Sequence, residues 1–392
     1  MKYTMGWLDK EAVHMTTVFL GRYVIVGGGG FLGAKVIEGL RSSGFVGEIT
    51  VVDPNPQVFK TIDFDPSQVN YIEGSFLDDK VLDKALKGAD AVFHLASVGH
   101  TGLVAGNRDY VFKFNVEGTK NLIKKCKEHR VARFLYASSV AVSFVGIPLT
   151  NASEDDPLPA PEKYLDYYSA SKALAEQYVL SQSTEKFKTV CLRFRAIYGP
   201  EDPNVTHKVA KLIKRGLFVG MVSIHGRESN SNASSGANCA KAFVLADTML
   251  KNPEGLHGRV YYIMDQETVG QYAFWEPLVL ALGRTPPSRF ISYELMRFIV
   301  PHIENVCYLL LKTPPLLTKF ELSILATDNT YSIERARREL GYEPEPCVMS
   351  EVAEYYKNLE EELVSSTVDD WKLIIAVFIA LAAILFAYFV SF

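Results

Sequence analysis

The stretch Tyr23-Val24-Ile25-Val26-Gly27-Gly28-Gly29-Gly30-Phe31-Leu32-Gly33 constrains the fold more than any other part of the chain. A β-rich apolar run enters a block of glycines, and a helix-like pattern from Ala34 to Leu40 leaves it. Glycine permits positive φ and lets a backbone come close to a ligand or a neighbouring strand. Amides opening the helix would face the pyrophosphate of a dinucleotide, whose negative charge the helix dipole favours. A structural tight turn is the alternative, but the strand–turn–helix context favours the nucleotide. Gly28, Gly30 and Gly33 fit G-x-G-x-x-G, while Gly27, Gly30 and Gly33 fit G-x-x-G-x-x-G. The block satisfies both, so residues elsewhere must choose.

The second strand narrows the cofactor. Gly47 to Pro54 reads as a strand ending in Asp53, about where a dinucleotide fold places the acid that holds the adenosine ribose hydroxyls. A carboxylate there repels a 2′-phosphate and favours NAD over NADP. A capping role before Pro54 is the bland alternative. Tyr71-Ile72-Glu73 then reads as a short strand, Asp78 to Leu86 as a helix, and Ala89 to Ala96 as a buried strand emerging beside the glycines. His94 reads as a packed or capping histidine beside the cofactor. Tyr110 to His129 has helical apolar spacing, and Arg133 to Ser139 is the next parallel strand, with two hydroxyls at its C-terminal end. This alternation implies a doubly wound α/β sheet, in which ligands bind at that edge.

A candidate for chemistry follows. Tyr168 and Lys172 are four residues apart and share one helix face. A free tyrosine is almost fully protonated at neutral pH, and a nearby lysine cation favours the phenolate. The tyrosine could then act as a base toward an alcohol. Y-x-x-x-K alone is weak; behind a glycine block, a second-strand acid and a serine pair, it is strong.

Beyond Lys188 to Arg193, read as the sixth strand, the turn Tyr198-Gly199-Pro200 leads into a substrate-facing half. Asn230 to Asn238 reads as an exposed or flexible loop, and Arg259 to Met264 as a strand returning to the sheet. Ser292 to Leu311 is apolar but interrupted by Pro301, His302, Glu304 and Asn305, which makes a poor membrane span. It suits a substrate-pocket or membrane-surface helix pair, or equally a core helix. Ser332 to Leu340 is a capped helix ending at Gly341, and Glu351 to Leu363 an acidic amphipathic one.

The whole chain sets further bounds. A net charge of -4 over 392 residues, with a pI near 6.1, argues against a nucleic-acid partner. Five cysteines lie without metal-ligand spacing, so no metal site is expected, and their odd number suits a reducing compartment. The N-terminus lacks the shape of a signal peptide. From Leu373 to Val390, by contrast, eighteen apolar residues run without a break, enough to cover most of a hydrocarbon core. This reads as a C-terminal transmembrane helix inserted after synthesis, with the catalytic part cytosolic. The sequons at Asn151, Asn204 and Asn232 are then chance matches. The expected division is an extension over 1–20, a nucleotide-binding domain over 21–193 and a substrate-binding part over 194–350. A helix and tether over 351–370 and an anchor over 371–392 complete it.

Taken together, these residues resemble the extended short-chain dehydrogenase/reductases, and more narrowly the 3β-hydroxysteroid dehydrogenase/isomerase family, with its sterol-4-carboxylate 3-dehydrogenase-like members. The resemblance rests on Val26 to Gly33, Val92 to Ser97, Asn115 to Thr119, Ser138-Ser139, Tyr168-x-x-x-Lys172, Tyr198-Gly199-Pro200 and Tyr331 to Tyr342, in that order. It covers about residues 20 to 360 and implies the G-x-x-G-x-x-G reading. It implies a Rossmann-type fold with a smaller C-terminal substrate-binding part. Tyr168 would be the acid/base, Lys172 would tune it and bind the nicotinamide ribose, and Ser139 would hydrogen-bond the reacting oxygen. Ser138 is the alternative if the register slips by one. Gly27, Gly30, Phe31, Leu32, Gly33, Asp53, Ala96 and Lys172 would bind NAD. The family's pattern is broken at Ser75, commonly an aspartate near adenine, at Phe194, commonly a proline, and across Asn230–Asn238.

The expected function is oxidation of a sterol or steroid 3β-hydroxyl by NAD, with isomerase activity implied by resemblance only. Competing readings are another extended-family activity, such as reduction or epimerisation of a different small molecule, and a non-catalytic nucleotide sensor. A membrane location, most naturally the endoplasmic reticulum, accompanies the anchor, and a homodimer stays open.

Overall fold

The computed structural model describes residues 21–55, 69–265 and 268–359. Seven parallel strands form the main sheet: β1 Arg22–Val26, β2 Glu48–Asp53, β3 Val69–Glu73, β4 Ala91–His94, β5 Arg133–Ser139, β6 Lys188–Phe194 and β7 Arg259–Ile263. Their order is β7-β6-β5-β4-β1-β2-β3, so the chain winds outward from β1 in one direction and then in the other. The reversal opens a crevice at the C-terminal ends of β1 and β4.

The strands are apolar on both faces because both are covered. Tyr23 and Ile25 of β1 belong to one buried cluster with Val36, Ile37 and Phe243, while Val24 and Val26 belong to the other with Leu82, Leu122 and Val179. Helices α1 (Phe31–Ser42) and α5 (Gly236–Lys251) cover the first face. Helices α2 (Asp79–Leu86), α3 (Gly118–Glu128) and α4 (Tyr167–Ser181) cover the second. A parallel sheet buried in this way needs near-continuous hydrophobic strands. The expected helix over Tyr110–His129 is present from Arg108 to Glu128, with a π-helical turn at Lys113–Glu117 in its middle.

The second half builds on this frame. Short strands Leu149–Ala152, Asn230–Ser231, Val269–Gly270 and Asn329–Tyr331 make a small mixed sheet. Helices Tyr293–Asn305 and Lys319–Ala326 pack on one another through Val300, Leu322 and Ala326. The first continues as a π-helical turn, Val306–Leu311, carrying Pro301 within it and leaving Leu295, Phe298, Leu309 and Leu310 exposed. Those side chains rule out an ordinary core helix there.

The reading of Asn230–Asn238 as an exposed or flexible loop is corrected. Ser231 to Ser235 are buried, and two short strands and the start of α5 occupy the stretch. Polar groups are admitted to the interior there where they find partners. The Ser234 hydroxyl donates to the Ile263 carbonyl at 2.6 Å, and the Asn232 carbonyl accepts from Arg195 at 2.5 Å. Among the described residues no helix is long and apolar enough to cross a membrane, and the expected anchor at 371–392 lies outside them. The expected 1–20 extension does too.

Candidate active site

The glycine turn joins β1 to α1, and its three spaced glycines have three different reasons to be glycine. Gly27 has φ +80°, and a β-carbon on it would stand 2.6 Å from the Ala96 backbone nitrogen. A β-carbon on Gly33 would stand 2.4 Å from the Gly28 α-carbon, so α1 could not pack so closely on the turn. Gly30 is different: its β-carbon would meet only the Gly27 carbonyl, at 3.7 Å, and otherwise open space. Gly30 caps α1, whose first residues Phe31, Leu32 and Gly33 offer amides without intrahelical partners. The open side of Gly30 is where an anionic group can approach those amides. The geometry supports the 27-30-33 spacing, with Gly28 packed on Ile25 and Val51 instead.

Asp53 ends β2 beside this turn. Its carboxylate accepts from the Gly29 amide at 3.1 Å and from the Asn55 amide at 2.9 Å. Ser75 caps its own turn, accepting from the Leu77 amide at 3.2 Å. The residues present thus fit a dinucleotide: an open glycine at a helix N-terminus, with a carboxylate on the neighbouring strand end.

Across the crevice, Asp166 caps α4 by accepting from the Ser169 amide at 2.6 Å, which sets Tyr168 and Lys172 on the face toward the sheet edge. Burial pushes the Tyr168 phenol up to about 12, while hydrogen bonds from Ser139 and Ser97 pull it down and Asp166 pushes it up. Ser139 at the end of β5 and Ser97 just after β4 therefore meet at the same phenol. Lys172 is fully buried, donates to the Ala137 carbonyl at 2.5 Å and sits 4.3 Å from the Tyr136 ring centre. Burial brings its pKa down to about 7.

The two serines of β5 diverge as neighbours on a strand must. Ser138 donates to Glu176 at 2.6 Å, and Glu176 forms a two-pronged pair with Arg193 at 2.7 and 3.0 Å. Arg193 in turn donates to the Tyr262 hydroxyl at 3.0 Å. Ser138 belongs to that buried network and Ser139 faces Tyr168. His94 is buried, as expected, bonded to Thr119 at 2.9 Å and held neutral by burial.

Sequence reasoning assigned no role to Asn115. Lying in the π-helical turn, it accepts from the Val98 amide at 2.9 Å, donates to the Val98 carbonyl at 2.8 Å and donates to Ser171 at 2.9 Å. It ties the loop bearing Ser97 to the helix bearing Tyr168 and Lys172. A polar residue on the apolar face of an otherwise amphipathic helix was the available signal. On one side the Tyr168 ring packs in an apolar cluster with Ala141, Phe144, Leu165, Phe320 and Ile324.

Residues 24–293 match the model of the 3-beta hydroxysteroid dehydrogenase/isomerase family. The chain is 34% identical over 308 residues to the 3beta-hydroxysteroid dehydrogenase/Delta(5)-Delta(4) isomerase 1 of Caenorhabditis elegans, an alignment spanning 79% of this chain and 65% of that protein. It is 30% identical over 349 residues to the human short-chain dehydrogenase/reductase family 42E member 1, covering 85% and 86% of the two chains. In fold it resembles the UDP-glucuronic acid 4-epimerase of Bacillus cereus, solved in complex with NAD, with a TM-score of 0.64, 19% identity and coverage of 86% and 99%.

Proposed function

The chain belongs to the 3-beta hydroxysteroid dehydrogenase/isomerase family, and on that premise we propose that it oxidises the 3β-hydroxyl of a sterol or steroid with NAD. The observation that carries this reading is the Tyr168 phenol facing the Ser139 and Ser97 hydroxyls, across the crevice from an open glycine turn. The apolar cluster packed against one side of the Tyr168 ring supports a sterol over a sugar nucleotide.

When bound, NAD supplies the hydride acceptor, and everything else is the work of side chains. The amides opening α1 hold the diphosphate, and Asp53 accepts from the ribose hydroxyls. Ser139 donates to the reacting oxygen and orients it. Tyr168, as phenolate, takes the hydroxyl proton as the C–H bond at the carbinol carbon breaks. Lys172 binds the nicotinamide ribose and supports the phenolate, while Asn115 fixes Val98 and Ser171 around them.

We further propose a membrane location, most naturally the endoplasmic reticulum, with the catalytic part cytosolic and residues 371–392 as anchor. The apolar run Leu373–Val390 supports it, and so do the exposed Leu295, Phe298, Leu309 and Leu310. The test is NAD reduction by the full chain with a panel of 3β-hydroxysterols and nucleotide sugars, beside Tyr168→Phe. Turnover of sterols alone, lost in the variant, is expected. Undiminished turnover by Tyr168→Phe, or turnover of sugars alone, would sink the reading.

A further inference from the structure

The surface at the end of the helix Val205–Lys214 suits an anion, although the whole chain carries a net charge of -4. No aspartate or glutamate occurs between Asp202 and Glu228, nor between Glu276 and Glu294. Those two stretches enclose a cavity of about 300 Å³, none of whose lining residues belongs to the apolar cluster around Tyr168. Its floor is apolar and fixed: Ile213 and Val279 lie in one buried cluster with Trp275 and Leu278, and Phe218 packs against it. Its rim is the loop of residues 284–289, in which Pro286 and Pro287 fix φ and limit the chain's freedom.

The polar groups of that rim are held by their backbone or their stems and leave donors open. Arg284 donates to the Lys214 carbonyl at 2.7 Å, which ties the loop to the end of the helix. The Arg289 carbonyl accepts from the Met221 amide at 2.9 Å, where the strands Phe290–Ser292 and Met221–Ser223 pair. The Arg289 guanidinium and the Thr285 and Ser288 hydroxyls make no hydrogen bond or ion pair with any described residue. Lys208 and Arg227, from the same carboxylate-free stretch, are already paired with Glu321 and Asp328.

The flank of the cavity has the opposite character. Leu217, Val219 and Phe290 are exposed, Val219 by 66%. Strand pairing sets Val219 and Phe290 beside Arg289, and Phe290 leads into the helix Tyr293–Asn305 with its exposed Leu295 and Phe298. Cations beside solvent-facing apolar side chains are the composition of a surface that lies at a bilayer interface. A water-soluble acidic partner would meet the arginines and leave the apolar side chains in water; a bilayer surface takes both.

Resting on the proposed membrane location, we infer that this cavity holds the phosphate of an anionic phospholipid. Arg284 and Arg289 flank the phosphate and donate to its oxygens, and the Thr285 and Ser288 hydroxyls donate beside them. The acyl chains pass Val219 and Phe290 toward the surface that carries Leu295 and Phe298. The apolar run at residues 373–390 attaches the chain at one point. This second contact turns the catalytic part toward the bilayer, and it makes that orientation depend on lipid charge.

The experiment titrates the full chain in neutral detergent with dihexanoyl phosphatidic acid, dihexanoyl phosphatidylcholine and glycerol 3-phosphate, reading binding by calorimetry. Wild type should bind phosphatidic acid at least about tenfold more tightly than phosphatidylcholine, and the preference should shrink as salt is raised. Glycerol 3-phosphate, which offers the phosphate without acyl chains, should bind at least about tenfold more weakly than phosphatidic acid. Arg284→Gln with Arg289→Gln should abolish the preference while melting and NAD affinity stay as in wild type. Arg289→Gln alone, at an exposed side chain without partners, carries the test if the double variant misfolds. Equal affinity for the two lipids, or an arginine variant that keeps the preference, overturns the inference. Glycerol 3-phosphate binding as tightly as phosphatidic acid overturns it too, because the site then takes a free phosphate. Flotation of the full chain with phosphatidylcholine vesicles separates the two claims. A chain that floats yet shows no preference for phosphatidic acid overturns the headgroup site alone. A chain that stays out of the vesicles overturns the membrane location on which the site rests.

Discussion

The Ser138 hydroxyl donates to Glu176 at 2.6 Å, and that bond decides which of two adjacent serines is left for the substrate. Glu176 is fully buried and shared with Arg193, so Ser138 completes the shell of a buried ion pair. Ser138→Ala should then lower stability by about 1.5–3 kcal/mol, the range for a hydrogen bond to a charged group. Ser139→Ala loses only the hydroxyl's acceptance from the Ala141 amide at 3.2 Å, so it should lower stability by no more than about 1 kcal/mol while cutting kcat on the order of 10²-fold. Thermal melts and steady-state kinetics on both variants check this; the reverse pattern would reassign the serines.

The glycines separate in the same way. Gly33→Ala forces a β-carbon to 2.4 Å from the Gly28 α-carbon, a backbone contact that only movement of α1 relieves. It should destabilise the fold by about 1–3 kcal/mol, as overpacking does. Gly30→Ala meets nothing nearer than 3.7 Å and should fold normally. Its methyl would stand where the diphosphate approaches, so NAD affinity should drop at least about tenfold, or ~1.4 kcal/mol. Calorimetric NAD titration with parallel melts distinguishes the two, and unaltered affinity in Gly30→Ala would refute the cradle.

How much of this was legible follows from the range of the interactions. The glycine turn, Asp53, Ser139, Tyr168 and Lys172 were readable because each sits at a fixed place in a local strand–helix pattern. The glycines alone left the spacing ambiguous; the resemblance implied the 27-30-33 reading, and Ala96, whose backbone crowds Gly27 from a different strand end, gives its physical reason. Ser97, though part of the Val92–Ser97 stretch, was given no role, because what fixes its loop is Asn115, seventeen residues past Val98. The small sheet was invisible for a stronger reason. Leu149–Ala152 pairs with Asn329–Tyr331, far apart in the chain, and the Asn230–Asn238 stretch looked like a loop because its hydrogen-bond partners are equally remote.

Lys172 gives a pH dependence whose sign can be worked out. Its ordinary pKa of 10.5 falls to about 7 in the folded chain because the ammonium is buried. Between those values the unfolded chain binds the extra proton, so stability rises with pH across that window. Below about 7 the whole penalty of burying the charge is present. The melting temperature of protein prepared without nucleotide should rise from pH 7 toward pH 10, and Lys172→Met should flatten that rise. A parallel dependence in the two proteins would show that another group is responsible.

Tyr168 titrates in the opposite sense for catalysis. Burial holds the phenol neutral up to about 12, so proton acceptance from an alcohol is limited by the small phenolate fraction at neutral pH. Oxidation rates should climb as pH rises, and ketone reduction, which uses the neutral phenol, should not. Ser97→Ala removes one of the two hydroxyls that pull this pKa down. It should shift the oxidation profile to higher pH while leaving KM for NAD within about twofold, well under the ~1.4 kcal/mol that a tenfold change would mean. An unshifted profile would place Ser97 outside the proton path.

The anchor is tested by what holds the chain to a bilayer. Eighteen apolar residues rise roughly 27 Å as a helix, close to the hydrocarbon thickness of about 30 Å. Leu373–Val390 carries no charge, so nothing in it opposes burial in lipid. The full chain should stay in the membrane pellet through alkaline carbonate extraction, and a chain ending at Asp370 should leave it. The shorter chain keeps all the described residues, so its turnover of a detergent-dispersed sterol should be preserved. With sterol delivered in vesicles, it should need a higher sterol concentration, because the catalytic part no longer samples the surface where the substrate is dissolved. Carbonate extraction of the full chain would reduce the run to a peripheral contact.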